Sequence, residues 1–186
     1  MTFKDYQQTF DEVLAGKITH TPYDDPHFLE YTKLNFSRFN RWIKKGEILP
    51  ETIAAINSIS TKQTWVIISE PWCGDASHCV PFMVKMAELN PLITLEIKLR
   101  DSENSEIENY LTHGGKAIPI LIVRDSDNND LFVWGPRPEP AHALFLELKQ
   151  QQLTLEEQKI ALQNWYNKDL GQTIQKEITK GIIHQQ

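Results

Sequence analysis

Residues 64–82 read TWVIISEPWCGDASHCVPF. Thr64–Ser69 is a short β-branched run of the kind expected for a strand buried on both faces. The residues from Ala76 onward read as a helix, over about 76–89. Cys73 therefore stands at a strand-to-helix junction. A thiol at a helix N-terminus faces unpaired backbone N–H groups and the positive end of the helix dipole, and both favour the thiolate, which is the nucleophile. Asp75, in the first turn, opposes this by its negative charge while stabilising the helix start. The expectation is an exposed, activated Cys73, with a chemically silent position as the alternative.

A second thiol at the fourth position of this motif would complete a dithiol pair, but Ala76 stands there. Cys79 follows six residues after Cys73. With both residues helical, the rise of ~1.5 Å per residue separates them by about 9 Å along the axis, on roughly opposite faces. A disulfide needs Cα atoms about 4.4–6.8 Å apart. Cys79 also shares an apolar stripe with Val80, Met83, Val84 and Ala87, which reads as a buried small hydrophobe. A resolving role for Cys79 is the alternative. His78 reads as a helix-surface residue, with an acid–base role beside Cys73 as its alternative. Glu70 reads as a solvated loop charge, with a role as an acid near the site as its alternative. Cys73, His78 and Cys79 lie within seven residues and lack a fourth ligand, so no metal is expected.

Outward from this stretch, "ITLEIKLR" (Ile93–Arg100) alternates strictly and reads as a second strand. "SENSEIENYLT" from Ser102 reads as a helix start. "IPILIVRD" from Ile118 is a third strand, "DSDNND" from Asp125 a turn, and "LFVWG" a fourth strand returning as a hairpin. "DSDNND" lacks the central glycine and the closing acid of a calcium loop. Helices are expected at about 138–150 and 154–180, the second opened by a capping box from Thr154 to Glu157. The first 60 residues read as helices broken at "THTPYDDPH", where Asp25 is a cap before Pro26, and at "GEILPE", with a helix from about Glu51 to Ser58. Two strands joined by a helix should be parallel with a right-handed crossover, and the last two antiparallel. The result is an α/β sandwich around a mixed four-stranded sheet, with extra helices at both ends.

The topology, with Trp72-Cys73-Gly74 at the end of the first core strand, resembles the thioredoxin fold. So do Pro81, eight residues after Cys73 inside the helix, and Ile118-Pro119 before the third strand. The chain also resembles the bacterial thioredoxin family proteins that carry Trp-Cys-Gly-Asp-Ala and a later Trp-Gly-Pro-Arg-Pro, here Trp134–Pro138. The resemblance implies a single domain, with a thioredoxin-like core at 62–150, a helical N-terminal extension at 1–61 and a C-terminal helix at 151–186. It implies a cis-proline at Pro119, whose neighbour Ile118 pairs with a substrate backbone. Trp72, Gly74 and Asp75 frame Cys73. The buried acid that thioredoxins often carry six residues before the active cysteine is replaced by Ile67. Ala76 removes the usual two-cysteine route, which leaves a monothiol disulfide oxidoreductase acting through Cys73.

On this reading no cofactor is tightly bound, a low-molecular-weight thiol acts as reductant, and the partners are protein or small-molecule thiols and disulfides. Arg137 is a candidate to attract an anionic group such as a thiol cofactor's carboxylates, or simply part of a rigid strand exit. A redox-inactive peptide-binding module and a Cys73/Cys79 redox sensor are the other readings. The net charge of −6 gives no basic stripe for nucleic acid and no attraction to anionic membranes. No apolar run reaches the ~18 residues of a membrane helix, and the N-terminus lacks a signal peptide's apolar centre, so the expected location is the cytoplasm. The long apolar stripe of Leu162, Trp165, Tyr166, Leu170, Ile174 and Ile178 packs on the core or forms a homodimer through the C-terminal helix.

Overall fold

The computed structural model describes residues 1–183; residues 184–186, part of the expected C-terminal helical segment, lie outside the described residues. Strand β1 (Gln63–Ser69) is central. It pairs in parallel with β2 (Ile93–Leu99) and antiparallel with β3 (Ile120–Arg124), which pairs antiparallel with β4 (Asp130–Trp134), giving the order β2-β1-β3-β4. The mixed four-stranded sheet is as expected. Trp65, Val66, Ile67 and Ile68 are all buried, so β1 is covered on both faces, which is why it reads as a continuous apolar run. The edge strand β2 is closed by the chain start: the Ile97 N–H donates to the Met1 carbonyl at 2.9 Å, and the Met1 amino group donates to the Ile97 carbonyl at 2.8 Å.

Seven α-helices surround the sheet among the described residues. They are α1 (Phe3–Leu14), α2 (Pro26–Lys45), α3 (Pro50–Asn57), α4 (Gly74–Ala87), α5 (Glu139–Gln150), α6 (Leu155–Asp169) and α7 (Gln172–Ile183). Local signals act where they were read. Asp25 accepts from the His27 N–H to cap α2, and Thr154 and Glu157 cap α6 reciprocally. α1 and α2 meet in an aromatic cluster of Tyr6, Phe10, Phe36 and Phe39, and α2 packs along α4.

Two elements differ from expectation. The segment after Ser102 is no helix but a single 3-10 turn at Ile107–Asn109. Ser102 Oγ donates back to the Leu99 carbonyl instead of capping forward, and Glu106 is drawn to Lys98 at the end of β2 and Arg124 at the end of β3. The single long C-terminal helix is two helices. Leu170 and Gly171 both adopt positive φ and turn the chain between α6 and α7. Glycine is required at 171, because a Cβ there would stand 2.1 Å from Phe82 Cζ of α4. Of the expected stripe, Leu162, Tyr166, Ile174 and Ile178 are buried, Trp165 is half-buried, and Leu170, in the turn between the two helices, is exposed.

Candidate functional site

A turn closed by the Cys73 N–H donating to the Glu70 carbonyl, 3.1 Å, delivers Cys73 to the N-cap of α4. Its sulfur accepts from the Ala76 N–H at 3.5 Å and donates to the Ile118 carbonyl at 3.3 Å. Ile118-Pro119 is a cis peptide bond, and both residues are buried. The sequence thus brings together at one point the thiol, the amide of the residue that replaces a second cysteine, and the carbonyl before Pro119. Pro81 lies inside α4, where its missing N–H leaves the Ser77 carbonyl without an i+4 donor.

The expectation of an exposed, ionised thiol is corrected. Cys73 is 7% exposed. Burial pushes its pKa up to about 12, with the charge of Asp75 adding to the rise; the Ala76 N–H and Arg137 act in the opposite direction and are outweighed. The backbone amides of Ala76 and Asp75 at a helix end do not offset the desolvation of a small anion. The resting thiol is therefore protonated, consistent with its donating to Ile118. Cys79 is buried, as expected, with its sulfur 3.9 Å from the Tyr166 hydroxyl, and the two cysteines are free.

Trp72, the residue before Cys73, is half-buried. Its ring is held between Phe28 of α2, edge-on at 5.5 Å between centroids, and the Arg100 guanidinium, 4.6 Å away. Its Nε1–H is buried and has no partner among the described residues. Gly74 is exposed, and a Cβ there would meet nothing within 4 Å, so no steric demand fixes glycine at this position.

Asp75 is tied on both oxygens: Arg137 Nη2 donates to Oδ2 at 2.6 Å and the Tyr166 hydroxyl to Oδ1 at 2.8 Å. Arg137 thus has its charge paired within the protein. Tyr166 sat in an apolar stripe when read from sequence. Its polar tip is the signal that it would find a partner when buried. Arg100 and Phe28 carried no local motif, because their relation to Trp72 is purely tertiary.

Two titratable residues lie elsewhere than their sequence context suggests. His78 is buried rather than on the surface. Its Nδ1 accepts from Trp42 Nε1–H at 2.9 Å, which puts the proton on Nε2, 3.1 Å from Gln163 Oε1, while its ring stacks on Tyr166 at 4.4 Å. Burial lowers its pKa to about 3, so it is a neutral tie between α2, α4 and α6. Glu70 is also buried rather than solvated. It accepts from the Asp101 N–H at 3.1 Å and the Tyr23 hydroxyl at 3.5 Å, and burial raises its pKa to about 7. No cluster of three or more His, Cys, Asp or Glu side chains suited to a metal occurs among the described residues, and none of the described helices is long and apolar enough to cross a membrane.

In comparisons with known proteins, the family model described as thioredoxin matches residues 23–161. No curated protein matches the chain. A solved structure of a protein of unknown function from Pseudomonas aeruginosa superposes with a TM-score of 0.59 at 17% identity, covering 82% of this chain and 84% of that one. An HIV epitope-scaffold superposes with a TM-score of 0.60 at 14% identity, covering 99% of each chain. At such identities the likeness is one of fold.

Proposed function

Because this chain belongs to the thioredoxin family, we propose that it uses the family's thioredoxin-like fold for thiol–disulfide exchange through one cysteine, Cys73. The observation that carries this reading is the position of Cys73 Sγ, between the Ala76 N–H and the Ile118 carbonyl beside Pro119. In the first step, the Cys73 proton passes to a solvent base and the thiolate attacks one sulfur of a bound disulfide. A Cys73–substrate S–S bond forms as the substrate's own S–S bond breaks, and the departing sulfur leaves as a thiolate that takes up a proton. The Ala76 amide faces the charge on Cys73.

Ala76 carries no sulfur to resolve this intermediate. An external low-molecular-weight thiol then attacks the substrate's sulfur, regenerating Cys73 as a thiol and leaving a new disulfide between substrate and small thiol. Both steps are exchanges that conserve the number of disulfides. A substrate backbone N–H that takes the Ile118 carbonyl displaces the hydrogen bond of the resting thiol, which links peptide binding to release of the sulfur. A reducing cytoplasm supplies the thiol.

A second reading has one specific observation in its favour: burial that raises Cys73 to about 12 suits a redox-inactive module that binds extended peptide beside Pro119. The two readings separate by the rate of Cys73 alkylation against pH in a Cys79→Ser background, with and without a peptide disulfide. Exchange chemistry requires Cys73 to react and the peptide to accelerate or block that reaction. A thiol inert up to pH 10 in both conditions leaves only the binding module.

A further inference from the structure

A cavity of about 610 Å³ opens beside β4, between the Trp134–Arg137 strand exit, the start of α5 and the last turns of α7. Two of its lining residues carry buried nitrogen atoms without partners. Arg137 Nη2 is held by Asp75 and the guanidinium lies 4.3 Å from the Phe145 ring, while Nε–H has no partner among the described residues. His142 stands one turn before Phe145 on α5, its ring 6.4 Å from the Phe145 ring, and its Nδ1 is likewise buried and unpartnered. Both residues thus stand beside the Phe145 ring and line one cavity. Unpartnered buried polar atoms are costly and uncommon, and two in one cavity mark a place where a ligand's polar group would be held.

The remaining walls narrow the ligand's chemistry. Lys180 of α7 is exposed and makes no ion pair among the described residues, so a further cation faces the opening. The Glu177 carboxylate is already committed: it accepts from Trp134 Nε1–H at 2.6 Å and from the Glu139 N–H at 2.8 Å. Phe132, Trp134 and Pro136 supply apolar surface. We propose that this cavity binds a small organic monocarboxylate, its carboxylate held by Arg137 Nε and His142 with Lys180 at the rim, and its apolar body against Trp134 and Pro136. Glu139 and Glu177 in the same lining repel any anion, and a doubly charged phosphate more strongly than a singly charged carboxylate. The inference is independent of sulfur chemistry at Cys73.

The test is an NMR titration of the full chain with N-acetylphenylalanine, its amide and phenyl phosphate. The carboxylate should bind saturably, shifting the amides of residues 135–142 and the His142 ring signals. The amide, which lacks the anion, should bind about tenfold more weakly, the loss expected for one charge-assisted hydrogen bond. Lys180→Ala, at an exposed position, and His142→Ala should each weaken the carboxylate at least about threefold while the fold, read from the remaining amides, is unchanged. Equal affinity for acid and amide, shifts mapping elsewhere, or variants that bind as the parent overturn the site. Tighter binding of phenyl phosphate overturns the carboxylate assignment.

Discussion

Arg137 Nη2 lies 2.6 Å from Asp75 Oδ2, joining the exit of the last strand to the first turn of the helix that begins at Cys73. The pair sets opposite charges beside one sulfur. Asp75 raises the Cys73 pKa and Arg137 lowers it. Asp75→Asn should therefore speed Cys73 alkylation at pH 8 by roughly 3- to 10-fold, and Arg137→Gln should slow it by a similar factor. Each should lose about 1–3 kcal/mol of stability, because a mostly buried partner is left unpaired. Rate constants from intact-mass time courses check this; shifts of the same sign in both variants contradict it.

Glu70 and His78 should leave opposing marks on stability against pH. Glu70 has its pKa raised by burial from 4.5 to about 7, so between those values the folded protein binds more protons than the unfolded chain. Stability from this group falls as pH rises through that window, by up to about 3 kcal/mol. His78 has its pKa lowered from 6.5 to about 3, so its contribution is complete above pH 6.5 and declines as pH falls below it. Between pH 4.5 and 6.5 the two slopes oppose each other. Urea unfolding of Glu70→Gln should therefore expose a loss of about 2–3 kcal/mol on acidification from 6.5 to 4.5, where the parent changes little. His78→Gln should show the reverse, gaining stability over the same range.

Two glycines near the site should respond very differently to alanine. At Gly135, φ is +134° and a Cβ would stand 2.3 Å from the Pro119 carbonyl oxygen. Gly135→Ala should cost about 2–4 kcal/mol and disturb the wall beside Pro119. At Gly74 a Cβ meets nothing, so Gly74→Ala should leave the melting temperature within about 2 °C of the parent. Thermal unfolding of the two variants decides it.

The sheet and most helices were legible because their signals are local. A doubly buried β1 reads as an apolar run, and Asp25, Thr154 and Glu157 act on amides two or three residues away. The broken C-terminal helix was not, because Gly171 turns there to pack on Phe82, a residue of α4 far away in sequence. The site divides the same way. Cys73, Ala76 and Ile118 are singled out by position in the sequence, and they meet in space. The protonation of Cys73 is not legible, because a helix terminus is visible in sequence whereas the burial that desolvates the sulfur is a property of the tertiary structure. Arg137 and Tyr166 were seen, but their convergence on Asp75 belongs to the tertiary structure.

The central claim is that Cys73 alone forms and releases a mixed disulfide. Its most direct test is intact-mass analysis of the parent, Cys73→Ser and Cys79→Ser proteins after exposure to a small disulfide and then to an excess of small thiol. The account predicts one adduct on the parent and on Cys79→Ser, none on Cys73→Ser, and full removal by the thiol. A folded protein whose Cys73 takes no adduct, or one that answers with an internal Cys73–Cys79 disulfide, contradicts it.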